Sequence, residues 1–126
     1  GIDGFVAVNT TTARPQPTST RSRRAFSESG GLSGAHLKER SLEIIRLVYK
    51  RAGNNYPIVG VGGIDGPQSA WDAITSGATL LQLYSALVFN GPAVVKKTIR
   101  GLKRRLQQEG IVNLHDAIGI FSDNNR

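Results

Sequence analysis

The sequence predicts an α/β chain in which a parallel sheet is covered by helices. Three observations carry this reading. Short, nearly continuous apolar runs stop abruptly near residues 8, 61 and 84, the character of strands buried on both faces of a parallel sheet. A stretch with apolar residues at helical spacing follows each run. Glycine or proline marks the joints, at Gly53, Pro67, Gly77 and Gly110.

The first strand is Phe5-Val6-Ala7-Val8, ending at Asn9. A long loop rich in Thr, Ser, Pro and Arg then runs from Thr10 to about Gly34. Loops of that length inside a compact domain are usually functional, often lids. The helix after it starts near Leu37, carries Leu42, Ile45, Val48, Tyr49 and Ala52 on one face, and stops at Gly53. The second unit is Pro57 to Val61, the pair Gly62-Gly63, and a helix opened by Pro67 and closed by Gly77. The third is Thr79 to Tyr84 and a helix from about Pro92 to Gln108, ended by Gly110. Its expected apolar stripe is Val95, Ile99, Leu102 and Leu106, with the basic residues on the other face. The tail, Asp116 to Arg126, is expected to fray beyond Phe121.

Composition narrows the chemistry. A chain of 126 residues is one domain at most. It has no cysteine, which excludes disulfides and thiolate catalysis. Its two histidines, His36 and His115, are far apart and read as structural or solvated, so no metal site is expected. No stretch approaches the length of a membrane span. The net charge of +7 concentrates in Lys96, Lys97, Arg100, Lys103, Arg104 and Arg105 on one helix and Arg21, Arg23 and Arg24 in the long loop. No aromatics interleave with either cluster, so the stacking platform of a single-strand binder is missing. The plainer reading is a solvated helix face and a mobile basic loop, with no nucleic-acid partner. A non-catalytic basic module that binds nucleic acid or anionic membrane is the alternative from a different class.

Three strand–helix units cannot close a barrel, and an isolated three-stranded parallel sheet would expose two edges. The expected fold is therefore the C-terminal part of a (β/α)8 barrel, about strands six to eight and their helices. The opening Gly1-Ile2-Asp3-Gly4-Phe5 reads as the run-in to a strand. The rest of the barrel is thus expected upstream.

Gly62-Gly63 sits where a strand ends and a helix is about to begin, so backbone N–H groups there can approach an anion. Tyr84-Ser85 ends the next strand with a further N–H and a hydroxyl. In (β/α)8 barrels the loops after strands seven and eight commonly form a phosphate site. A glycine pair alone is weak, since it also serves to turn a tight corner. Paired with the second loop, it favours phosphate.

Ile58 to Ile64 with Ala70 and Gly77-Ala78, Asn9-Thr10-Thr11, Gly30-Gly31-Leu32-Ser33-Gly34, and Leu83 to Phe89 with Gly91-Pro92 appear in one order. Together they resemble the dihydroorotate dehydrogenases, and the last motif resembles the membrane-associated, quinone-using class. The likeness runs from Asp3 to about Gly119; the basic segment Pro15 to Ser29 departs from it by a slightly greater length.

The resemblance implies an FMN enzyme of pyrimidine (UMP) biosynthesis that oxidises dihydroorotate to orotate and passes electrons to ubiquinone. It implies that the FMN phosphate rests on the backbone of Gly63, Tyr84 and Ser85, with Val8, Ser33, Gly34 and Gly62 also binding the cofactor. A side chain at Gly63 is accordingly expected to intrude on the phosphate. Asn9 and Thr10 would hydrogen-bond orotate, because an amide offers donors and an acceptor to the alternating pyrimidine edge. Tyr84, Val88 and Pro92 would line the barrel side of a quinone tunnel; packing at the end of the last strand is the other reading of these three. The class implies a serine base upstream, so no catalytic residue is assigned here, and Ser33 and Ser85 are not promoted to that role. Membrane docking would use an N-terminal extension absent from this chain, at the mitochondrial inner membrane or, alternatively, a bacterial cytoplasmic membrane. A soluble-class dihydroorotate dehydrogenase or other FMN barrel, with a different electron acceptor, is the enzymatic alternative.

Overall fold

Parallel pairing organises the chain. In the computed structural model, which describes residues 1–122, β1 (Phe5–Ala7), β2 (Ile58–Val61) and β3 (Leu80–Gln82) form one sheet in the order β1-β2-β3. Both pairings are parallel, with Val6 beside Val59 and Val59 beside Leu80. Parallel neighbours need crossovers. These are supplied by α2 (Lys38–Ala52) between β1 and β2 and by α3 (Pro67–Thr75) between β2 and β3.

The core lies between the sheet and these helices. Ala7, Leu42, Ile45, Ile58, Ala70, Ala73 and Ala78 are buried together there. Each fully buried Ile contributes about 1.5–3 kcal/mol over the exposed state. Gly60 belongs to this face because α2 and the Gly77–Ala78 turn come so close: a Cβ there would lie 3.0 Å from the Ala78 Cβ and 3.1 Å from Ile45 Cδ1. A satellite cluster of Trp71, Ile74 and Ala117 forms where α5 (Ala93–Glu109) crosses α3. Arg105 lies over the Trp71 ring at 5.5 Å from its centroid. The other sheet face is open, with Val6 68% and Leu80 58% exposed.

The structure departs from the sequence reading in four places. The long loop contains a helix, α1 (Thr20–Ser27), started by a reciprocal cap in which Ser19 Oγ accepts from the Ser22 N–H and Ser22 Oγ from the Ser19 N–H. Its polar sequence has no apolar period to announce it. A further helix, α4 (Ser85–Asn90), directly follows the last strand. On α5 the expected Leu102 and Leu106 pack on the core, but in the first half Val94 and Thr98 are buried, one residue earlier than expected, and Val95 and Ile99 are 42% and 62% exposed. The tail holds one residue further than expected: Gly119 and Phe121 N–H donate to the carbonyls of Ile74 and Thr75, and Ser122, placed in the fraying part, is buried with its N–H on the Gly119 carbonyl. The expected fraying falls almost wholly on residues 123–126, outside the described residues.

Candidate functional site

The three strands end at one rim, and their loops enclose a cleft of about 770 Å³. Val8, Asn9 and Thr10 line it after β1, Gly62 and Gly63 after β2, and Tyr84 and Ser85 after β3. Ser33 and Gly34 reach it from the loop before α2. Residues from four separate sequence motifs thus share one cavity, of the size typical for small-molecule and cofactor sites. The expected tunnel residues divide: Tyr84 lines the cleft, whereas Val88 lies on α4, 74% exposed, and Pro92 precedes α5, also exposed.

Glycine is required where the chain turns toward the cleft. Gly34, Gly62 and Gly63 have φ of +118°, +112° and +72°, a region that side chains disfavour. Among the described residues the N–H groups of Gly62, Gly63 and Ser85 donate to no backbone carbonyl. They remain available to an anion. At Gly34 an added Cβ would meet nothing nearer than His36 Cε1 at 3.8 Å. Gly63 is different. A Cβ there would lie 2.6 Å from the backbone N and Cα of Lys38, so the expected intrusion on a phosphate is preceded by a collision with the first turn of α2.

Hydrogen bonds tie the loops to each other. Ser33 Oγ and Ser85 Oγ are 2.9 Å apart, joining the glycine loop to the end of β3. Thr11 and Leu32 exchange N–H···O bonds of 3.1 and 2.7 Å, and Thr10 packs where a Cβ on Gly31 would stand. Asn9 Oδ1 accepts the Thr10 N–H at 2.7 Å. The Thr10 hydroxyl also donates to Asn9 Oδ1, at 3.4 Å, so the amide is oriented with its two Nδ2 hydrogens left for a ligand.

Lys38 Nζ pairs with Asp72 Oδ2 at 2.7 Å, fastening α2 to α3 beside Gly63. The Asp72 hydrogen bond raises the Lys38 pKa above its ordinary value, against a smaller opposing effect of burial. Sequence reasoning passed over Gln82 and Asp65, which also line the cleft. For Gln82 a signal existed: it is a polar residue in an otherwise apolar strand. Arg14 was missed as well. Its guanidinium donates to the carbonyls of Thr11, Phe26, Glu28 and Gly30.

Parallel strand–helix units with glycine-rich loops at the carboxyl ends of the strands define part of a (β/α)8 barrel with an anion-receptive mouth. The family model described as dihydroorotate dehydrogenase matches residues 1–106, and the chain belongs to that family. It is 46% identical over 119 residues to the dihydroorotate dehydrogenase (quinone) of Streptomyces coelicolor, covering 94% of this chain and 32% of that protein. It is 43% identical over 120 residues to the enzyme of the same name from Natronomonas pharaonis, covering 95% and 33%. The ligand-free structure of the Eimeria tenella dihydroorotate dehydrogenase superposes with a TM-score of 0.86 at 34% identity, over 99% of this chain and 33% of that one. The chain spans about a third of the length of the curated relatives it matches.

Proposed function

We propose that this chain supplies strands six to eight of an FMN-dependent dihydroorotate dehydrogenase of the quinone-using class, the rest of the barrel coming from elsewhere in the same protein. The observation that supports this most is the convergence of Val8, Asn9, Thr10, Ser33, Gly34, Gly62, Gly63, Tyr84 and Ser85 on one cleft. FMN fits the residues present: two strand-end turns carry unpartnered N–H groups, and Gly34 leaves room for a planar ring to approach. Gly62, Gly63, Tyr84 and Ser85 would hold the phosphate, and Val8, Ser33 and Gly34 the rest of the cofactor. The flavin, when bound, supplies the redox chemistry for removing a hydride from dihydroorotate.

The chain's own residues bind and orient. Asn9 presents its Nδ2 hydrogens to a pyrimidine carbonyl, and Thr10 adds a hydroxyl beside it. Ser33 and Ser85, hydrogen-bonded to each other, hold the two sides of the mouth at a fixed separation. No residue here is assigned proton transfer; the base belongs to the part of the barrel outside this chain. Tyr84, Val88 and Pro92 form the barrel side of a quinone path, which suits the exposed apolar surface of Val88 and Phe89 on α4. Membrane docking, as the quinone-using class implies it, is assigned to an extension outside this chain. The relatives named from Streptomyces and Natronomonas favour the cell membrane over the mitochondrial inner membrane as its location. Family membership favours this reading over the basic-module alternative.

The test is spectroscopic. The full-length protein is expected to be yellow, to bleach with dihydroorotate and to recover with a ubiquinone analogue. A colourless protein, or a flavin that dihydroorotate does not reduce, would refute the proposal.

A further inference from the structure

We propose that Arg14 is a positioning residue for the pyrimidine: it clamps the loop between β1 and α2 so that Asn9 and Thr10 meet the substrate in one conformation. The inference rests on the function proposed above. The Arg14 Nε donates to the Phe26 carbonyl at 3.2 Å and Nη1 to Thr11 at 3.1 Å; Nη2 donates to Glu28 at 3.4 Å and Gly30 at 2.5 Å. One planar, always charged group thereby holds carbonyls spaced across most of the loop. Phe26 and Glu28 lie in the last turn and at the C-cap of α1. There the helix leaves carbonyls unpaired and carries partial negative charge, which a cation stabilises.

The other two carbonyls connect the clamp to the site. Thr11 is next to Thr10 and is bonded in both directions to Leu32, and Gly30 opens the glycine loop that ends in Ser33 and Gly34. Thr10 in turn sits against Gly31. Arg14 itself does not line the cleft. It acts through main chain on both sides of the pyrimidine-binding turn, so its loss widens the range of positions that Asn9 and Thr10 visit without removing either group. Displacement of binding groups by about 1 Å can cost roughly a hundredfold in rate.

The experiment compares wild-type full-length protein with Arg14→Ala and Arg14→Lys. Flavin content, rapid-mixing reduction by dihydroorotate, reoxidation by a ubiquinone analogue and tryptic nicking at Arg21, Arg23 and Arg24 are followed. Arg14→Ala is expected to raise the dihydroorotate concentration for half-maximal reduction by about tenfold or more, consistent with that cost. Flavin content and quinone reoxidation should stay near wild type, and nicking should accelerate. Arg14→Lys should recover little, because a single ammonium cannot span these carbonyls. If the alanine variant is insoluble, the lysine variant carries the same comparison.

A wild-type half-saturation in Arg14→Ala, even with faster nicking, would overturn the positioning role and leave Arg14 a loop brace. Full recovery by lysine would overturn the fork geometry. A wild-type flavin that dihydroorotate does not reduce would instead refute the proposed function. In that event the nicking rates still test the clamp, and equal rates would overturn it.

Discussion

The two faces of the sheet are both largely apolar in sequence and opposite in environment. Toward the helices, Ile58 is 0% exposed and Ala7 5%; toward the other side, Val6 is 68% and Leu80 58% exposed. A parallel sheet with apolar residues on both faces is built for cover on both. The helix side supplies its own cover through α2, α3 and α5. The open side, which would face a barrel interior, does not. The difference separates what this chain covers with its own helices from the face it leaves open.

The largest effect should come from leaving that face uncovered. Residues 1–126 expressed alone should aggregate or show poor amide dispersion by NMR, because two strand edges and the Val6–Leu80 face stay open. Each of those side chains forgoes about 1.5–3 kcal/mol of burial. A soluble, well-dispersed monomer would show that the helical flank suffices.

Next comes the joint between the flank and the cleft. Gly63→Val forces a Cβ against the Lys38 backbone at a φ of +72°. We expect a loss of at least about 2–3 kcal/mol in a denaturant midpoint series, to which overpacking contributes roughly 1–3 kcal/mol and the left-handed backbone roughly 1–3 kcal/mol. Flavin loss is expected too but does not discriminate, because the fold is damaged first. Unchanged stability with loss of flavin would mean that the glycine serves only the ligand.

On the cleft side, Asn9→Ala should leave stability and flavin content near wild type. It should weaken dihydroorotate use by about 1–3 kcal/mol, the value of hydrogen bonds to a buried polar substrate. Wild-type kinetic constants would remove Asn9 from the pyrimidine site.

The smallest effect belongs to the flank. Lys38→Met should cost no more than about 1 kcal/mol, since partly exposed ion pairs contribute little. Its sign with pH is fixed. Lys38 has a raised pKa in the folded state, so the pair's contribution is complete below the unfolded lysine pKa and is lost as pH rises through the folded one. Wild-type stability measured from neutral pH to above 11 should therefore fall more steeply than that of Lys38→Met. Parallel curves would deny the pair any share in stability.

How much of this was legible in sequence follows the same division. The apolar runs and the glycine and proline punctuation announced β1, β2, β3, α2, α3 and α5, because burial forces a period on them. The residues around the cleft were reached through their motifs, and Gly62-Gly63 and Tyr84-Ser85 through their place at strand ends. The flank's details were not legible. Helix α1 has no apolar period and depends on Ser19, Ser22 and Arg14, contacts that composition does not encode. The α5 stripe holds at Leu102 and Leu106, which pack on the core, and slips by one position in the first half, where Val94 and Thr98 are buried in place of Val95 and Ile99. The collision between Gly63 and Lys38 joins residues far apart in sequence, and only the packed structure reveals it.

The central claim is that the three strand ends form one flavin and pyrimidine site. A crystal structure of the full-length protein with FMN and orotate tests it most directly. The account predicts phosphate oxygens within about 3 Å of the Gly63 and Ser85 nitrogens, and the orotate ring within hydrogen-bond reach of Asn9. A phosphate bound away from those two loops, or orotate held without Asn9, would contradict it.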